Sequence, residues 1–321
     1  MPAAIPCSPR VPPALLSPLR YMALLLVLLV GLAGLAAGCA APNGRSGADL
    51  TPGQDTLPQA ATARLDGVLL AWRDLPAPPG EETARPLLLL TGFAMTGEGW
   101  DRQFLRGLNA GRRVVVMENR GMGAAAGLPP GAPVDLPTMA RDAARLLEHL
   151  GIAKADVLGW SMGGGVALEL ALARPERVAA LALYAPPLSG AAVKPVLDRM
   201  FAMSPQELKA ALFPQDWAAA HPEVWAELPR PAPLPEGMAV RQYAALCAWP
   251  GVAERLPDLR VPALFLAGEA DWVCPAEDVR VQAQAAHGAR LELVPQGGHW
   301  MMHQEPRTLA RLVDDFLNAQ P

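Results

Sequence analysis

Gly159-Trp160-Ser161-Met162-Gly163 is the stretch on which the reading of this chain turns. Upstream, Ala155–Leu158 is a short apolar run of the kind found in buried strands. Downstream, Met162–Arg174 has a helical composition and is stopped by Pro175. A strand that passes straight into a helix through a tight turn presents the residue at the apex to whatever lies above the sheet. Such a turn brings the residues two before and two after the apex nearly into contact. Gly159 and Gly163 have no Cβ to collide there, and Gly164 and Gly165 let the helix lie close to the sheet. A serine hydroxyl is a poor nucleophile unless it is exposed, aimed and beside a base. The turn aims Ser161, and the helix N-terminus adds N–H groups and partial positive charge next to it.

Working outward, apolar runs suited to strands recur at Val68–Trp72, Pro86–Leu90, Val114–Met117, Val178–Tyr184, Ala263–Ala267 and Arg290–Val294. Between them lie helical patterns at Pro137–Leu150, Ala276–His287 and Pro306–Asn318. Unbroken apolar strands alternating with helices predict an α/β fold whose mostly parallel, doubly wound sheet is covered on both faces. Residues 186–258 break the rhythm with short helical pieces punctuated by Pro205, Pro214, Pro222 and the stretch Pro229–Pro235. The predicted core is therefore 63–185 plus 259–321, with 186–258 inserted as a helical cap.

Ser161 needs a base. Of the five histidines, His149 and His287 end helices and His221 sits in the insertion beside Pro222. His299 follows Gly297-Gly298 after a strand, which places it in a loop at the C-terminal edge of the sheet, where such folds hold their sites. The third member has to orient the imidazole and stabilise its charged form. Asp271, in the loop after Ala263–Ala267, is the candidate, with Glu269 its nearest rival.

Five segments in order resemble the α/β-hydrolase superfamily, specifically its esterase and lactonase branch, over residues 64–318. They are Leu87–Leu90 with Thr91-Gly92-Phe93 and Trp100, Glu118-Asn119-Arg120-Gly121-Met122-Gly123, Gly159–Gly164, Gly268-Glu269-Ala270-Asp271 with Pro275, and Gly298-His299 followed by Glu305-Pro306. The resemblance implies an α/β-hydrolase fold and a Ser161–Asp271–His299 triad. It also implies an oxyanion hole built from the backbone N–H groups of Phe93 and Met162. Three positions depart from the family pattern: Thr91 where His is usual, Glu118 for Asp, and Ala124 for Ser. The implied reaction is hydrolysis of a small, apolar carboxylic ester or lactone without a cofactor. The same triad also serves carbon–carbon bond hydrolysis and cofactor-free perhydrolysis, and a ligand-binding lipoprotein without turnover is the alternative from another class.

Two further patterns are discounted. Gly121-Met122-Gly123-Ala124-Ala125-Ala126 fits the dinucleotide spacing, but Gly127-Leu128-Pro129-Pro130-Gly131 follows and leaves no helix to hold a pyrophosphate. His299 and His303 have the spacing of a metal pair without the Glu of H-E-x-x-H or cysteine partners, so His303 is expected to start the last helix or line the mouth of the site.

The first forty residues read as an address. Arg10 and Arg20 precede Tyr21–Gly44, which carries no charge, and Leu35-Ala36-Ala37-Gly38-Cys39 resembles the bacterial lipobox. Residues 1–38 are expected to be a secretory signal and Cys39 a lipidation site tethering the exported protein to a membrane, with a retained anchor as the alternative. Residues 39–62 form a flexible linker. Cys247 and Cys274 remain in the folded part, and two free thiols are expected rather than a disulfide. The chain's 321 residues, 51% of them hydrophobic, can bury a sizeable core, and 27 basic against 31 acidic residues with no basic run leave no footprint for nucleic acid. Oligomeric state is not legible here.

Overall fold

The computed structural model describes residues 56–80, 84–224, 228 and 233–320. The leader, Cys39 and most of the expected linker lie outside them, as does Trp225 of the insertion. Among the described residues no helix is long and apolar enough to cross a membrane.

Eight strands form one sheet: β1 (Ala61–Leu65), β2 (Val68–Leu75), β3 (Leu87–Leu90), β4 (Val114–Met117), β5 (Ala155–Trp160), β6 (Val178–Tyr184), β7 (Ala263–Gly268) and β8 (Arg290–Val294). Their order is β1-β2-β4-β3-β5-β6-β7-β8. The pairs β1–β2 and β2–β4 are antiparallel, and every pair from β4 to β8 is parallel. Two corrections to the sequence reading follow. Val68–Trp72 is part of the second strand, which runs on to Leu75, and the first strand begins at Ala61, inside the stretch expected to be linker. β1 escapes an apolar-run criterion because it is an edge strand: its residues are exposed or half-buried, only Ala63 and Leu65 pack on the core, and among the described residues it pairs with β2 alone.

The helices are α1 (Arg102–Asn109), α2 (Leu136–His149), α3 (Met162–Ala173), α4 (Gly190–Ala202), α5 (Pro205–Ala211), α6 (Gln215–Ala220), α7 (Met238–Ala248), α8 (Ala276–Ala285), α9 (Met301–Gln304) and α10 (Pro306–Asn318). The alternation of side chains sorts each strand's residues to two cores. Leu88, Leu90, Val115 and Met117 pack with α2, α3 and α8, whereas Leu87, Leu89, Val114 and Val116 pack with α1 and α10. Each of these fully buried leucines contributes roughly 1.5–3 kcal/mol of transfer free energy, which is why the run Leu87–Leu90 has no polar position.

The insertion supplies α4 to α7. It is fastened to the core at several points. Trp249 donates Nε1–H to Glu169 of α3 (2.8 Å), and Arg255 grips the same carboxylate (2.6 and 3.0 Å). Trp272, beside the expected acid, donates to the Ala211 carbonyl, and Trp300 N–H donates to the Leu212 carbonyl (3.2 Å). Arg199 lies 4.5 Å over the Trp272 ring. Some of the insertion's large apolar groups therefore face the core. Phe201 meets Phe93 edge-on at 6.0 Å, and Phe213 stacks on Trp217 while meeting Trp300 edge-on.

Candidate active site

β5 ends at Trp160 and α3 starts at Met162, leaving Ser161 as the single residue of the turn, with φ +53° and ψ −123°. A non-glycine residue in this region is strained by about 1–3 kcal/mol, and it persists where its surroundings fix it. Here Ser161 N–H donates to the Tyr184 carbonyl (2.9 Å), and its own carbonyl accepts from Gly164 N–H (2.7 Å). The glycines are steric necessities: a Cβ on Gly159 would collide with the Gly163 carbonyl, and one on Gly163 with the Leu90 carbonyl.

Above this turn the three side chains separated by 138 and 28 residues meet. Nε2 of His299 lies 3.1 Å from Ser161 Oγ, and Nδ1 lies 2.8 Å from Asp271 Oδ2. Asp271 Oδ1 accepts from the backbone N–H groups of Val273 (2.8 Å) and Cys274 (3.0 Å). Both lone-pair faces of the carboxylate are thereby occupied, and its orientation toward the imidazole is set by the chain itself. Glu269, the rival, is exposed and takes no part. The acid and histidine loops are stitched together through Ala270 N–H to the Gly297 carbonyl (2.9 Å) and Glu269 N–H to the Val294 carbonyl (3.0 Å). Gly268 and Gly297 pass so close that a Cβ on Gly268 would strike the Gly297 carbonyl. The imidazole end is held from β6, where Tyr184 donates its hydroxyl to the His299 carbonyl (2.7 Å). Trp160 packs against the His299 ring at 5.8 Å.

Met162 is the first residue of α3, where an N–H has no partner within the helix. Phe93 lies in the loop after β3. That loop is pressed onto the turn by Gly92, whose Cβ, were there one, would stand 3.4 Å from Ser161 Cβ and 3.3 Å from the Trp160 ring. The unusual Thr91 is buried, and its carbonyl and Oγ1 both accept from Asn119 Nδ2 (3.1 and 3.0 Å). Glu118 is fully buried. It accepts from Gly97 N–H (3.0 Å) and Arg73 Nη1 (2.9 Å), and burial raises its pKa above the ordinary carboxylate value while these partners oppose the shift. The glutamate fits because residue 123 is glycine: a Cβ there would come within 2.9 Å of the carboxyl. The Gly123–Ala125 segment is a single 3-10 turn, not a helix.

Of the two places expected for His303, the start of the last helix is not the one it takes. It belongs to the separate one-turn α9, is buried, and places Nε2 3.2 Å from the Gly99 carbonyl and Nδ1 3.5 Å from Asp101 Oδ2. It thus joins the histidine loop to the segment before α1 rather than starting the last helix. His221 stacks on Trp217 at 4.6 Å, and His149 meets Trp72 edge-on. Cys247 and Cys274 are both free thiols. Cys274 is a neighbour that the sequence did not place in the site: it is buried next to Ser161 and Asp271, and burial pushes its thiol pKa well above the ordinary value, so it stays protonated. Gln242 of α7, also unforeseen, accepts a hydrogen bond from Ala94 N–H (2.8 Å) in the loop that follows β3.

The chain is 31% identical over 231 residues to RutD of Azorhizobium caulinodans, to which a carbamate hydrolase activity is ascribed, a match covering 67% of this chain and 84% of that protein. It is 32% identical over 284 residues to the dihydrolipoyllysine-residue acetyltransferase component of the acetoin cleaving system of Pseudomonas putida, covering 84% and 71%. Among solved structures, the enol-lactonase of Burkholderia xenovorans LB400 shares the fold with a TM-score of 0.66 at 22% identity, over 80% of this chain and all of that one. The pattern of the alpha/beta hydrolase family extends over residues 87–312, from β3 through the elbow at Ser161 and the His299 loop into the last helix. With eight strands in this order and that pattern running across six of them, β3 to β8, the chain belongs to the alpha/beta hydrolase family.

Proposed function

We propose that this protein is a serine hydrolase of carboxylic esters or lactones. The observation that carries the reading is the unbroken hydrogen-bonded series from Ser161 Oγ through the His299 ring to the buried carboxylate of Asp271. In the reaction His299 Nε2 takes the hydroxyl proton as Ser161 Oγ attacks the acyl carbonyl. Asp271 holds the tautomer with hydrogen on Nδ1 and stabilises the imidazolium. The N–H groups of Phe93 and Met162 receive the oxyanion, and each such donor is worth roughly 10²–10³ in rate. His299 then protonates the departing alcohol oxygen, and a water activated by the same ring releases the acid and regenerates Ser161. A lactone follows the same course, with the alcohol remaining attached to the acyl chain.

The names of the carbamate hydrolase, acetyltransferase and enol-lactonase relatives describe acyl chemistry, which agrees with this assignment. Thr91 and Glu118, departures that would accompany decay in a non-catalytic binder, are instead fully engaged with Asn119, Gly97 and Arg73. Reaction with a fluorophosphonate probe tests the proposal: one equivalent is expected to label Ser161, with p-nitrophenyl butyrate hydrolysed by the unlabelled protein. A protein inert to both would refute the reading. Acid should suppress the reaction, because a protonated His299 has no lone pair left to accept the serine proton. kcat/KM is expected to fall in acid, and a rate independent of pH would exclude His299 as the base.

The leader supports an exported protein tethered at Cys39, since a charged start, an apolar run and a lipobox-like stretch follow one another there. Cys39→Ser should then release the protein from the membrane fraction, and a variant that stays bound would overturn the tether.

A further inference from the structure

The structure assigns Tyr184 as the positioning residue that sets the reach of His299 to Ser161, an inference that rests on the serine hydrolase reading above. Tyr184 is the last residue of β6 and is fully buried, so it touches no substrate. It meets both halves of the hydrogen-bonded series. Its carbonyl accepts from Ser161 N–H at 2.9 Å, which fixes the elbow. Its hydroxyl, at the other end of the residue, donates to the His299 carbonyl at 2.7 Å and accepts from Met302 N–H at 3.3 Å. Nucleophile and base are therefore both referred to one residue of the sheet, although 138 positions part them in the chain.

A phenol suits this position because its oxygen donates and accepts at once. The His299 carbonyl needs a donor, and Met302, in the first turn of α9, has an N–H that the helix cannot satisfy. Burial pushes the phenol pKa well above its ordinary value, so the donor keeps its proton. The ring is held by Trp160, which stacks on it at 6.0 Å and packs against the His299 ring as well. Other anchors of the histidine loop lead elsewhere: the Gly297 carbonyl accepts from Ala270 of the acid loop, and Trp300 N–H donates to Leu212 of the cap. Tyr184 ties the loop to β6, the strand paired with the one that delivers Ser161. The separation it controls has little slack. His299 Nε2 stands 3.1 Å from Ser161 Oγ, near the long end of the roughly 2.6–3.2 Å over which a base takes a proton directly. A misplacement of about 1 Å at such a contact costs on the order of 10² in rate.

The test uses p-nitrophenyl butyrate and the full-length protein. Tyr184→Phe removes one oxygen and keeps the buried ring and the carbonyl that holds Ser161. It is expected to lower kcat about 10–100-fold with KM within about twofold, because acylation and deacylation both pass through His299. The rate of fluorophosphonate labelling should fall by the same factor. In a His299→Ala background the same change should cost less than about twofold, since Tyr184 acts through the base, whereas a merely structural hydroxyl would cost as much there. Placing 4-aminophenylalanine at position 184 restores a donor to the His299 carbonyl and should bring kcat back to within about threefold of the wild type. That variant decides the matter if Tyr184→Phe does not fold, and a loss of about tenfold in it would overturn the inference. So would a folded Tyr184→Phe with wild-type kcat, or one whose loss is undiminished without His299. In each of these cases Ser161 still takes the fluorophosphonate, and the hydrolase reading stands. A wild type inert to both probe and ester would remove the two together.

Discussion

Ser161→Ala is expected to lower kcat for any ester substrate by about 10⁴–10⁶, the scale on which removal of a triad nucleophile acts. The fold should survive, because alanine differs from serine by one oxygen, and the bonds that fix residue 161 in its φ +53° conformation are backbone bonds to Tyr184 and Gly164. A melting curve should therefore show a change below about 1 kcal/mol. His299→Ala should cost nearly as much in rate. The double variant should lose little more, because a base without its nucleophile has nothing to activate and the two act as one unit. A Ser161→Ala protein that retains more than a few per cent of its activity, or losses that multiply in the double variant, would show that the chemistry runs elsewhere.

The elbow was readable in the sequence because its constraint is local. Gly159 is demanded by contacts with Gly163 and Gly164 inside the turn itself; Gly163 and Gly164 answer to Leu90 and Pro186 alongside, but they fall in the same six residues, so the pattern is legible without knowledge of the rest of the fold. The order of segments then supplied Asp271 and His299. The choice between Asp271 and Glu269 could not be made from spacing, since both lie in the same loop. It is decided by depth: one carboxylate is buried against His299 and capped by two backbone N–H groups, the other is in solvent. The edge strand β1 went unseen for the opposite reason, since nothing in its side chains records the backbone pairing that creates it.

Thr91 and Glu118 show a different limit. Read against a family pattern they were departures, and only the structure supplies their compensations in Asn119, in Arg73 and in the space above Gly123. Gln242 and Cys274 were invisible because each reaches the site through a fold-back of the chain: Gln242 is 148 residues from its partner Ala94, and Cys274 lies more than a hundred from Ser161. The two-residue difference at the end of α8, expected to run to His287 and observed to stop at Ala285, is the ordinary uncertainty of a helix whose last turn carries no stop residue before Gly288.

Arg112→Met should destabilise the protein by about 3–5 kcal/mol while sparing the chemistry of the molecules that remain folded. Arg112 is buried at the end of the sheet away from Ser161, on the approach to β4. Its Nη1 pairs with Asp156 of β5 (3.0 Å), and its Nη2 pairs with Asp314 (2.7 Å) and Asn318 of α10. Methionine fills much of the same volume but leaves the buried Asp156 carboxylate with Arg85 alone (3.1 Å). Burial already raises the Asp156 pKa above its ordinary 3.8, with Arg85 and Arg112 opposing the shift. Removing one guanidinium raises it further. A carboxyl whose folded pKa exceeds its unfolded one penalises the folded state above that window, and the penalty fades as pH falls back toward the unfolded value. The gap in stability between wild type and variant should accordingly narrow as pH is lowered from 7 toward 4, when both are unfolded by urea at each pH. kcat on p-nitrophenyl butyrate, measured well below the melting temperature, should stay near that of the wild type because Asp156 lies at the start of β5 and Ser161 beyond its far end. A gap that stays constant with pH would assign the instability to lost packing and to the uncharged contact with Asn318 instead. A kcat that falls with stability intact would mean that this end of the sheet communicates with the catalytic rim.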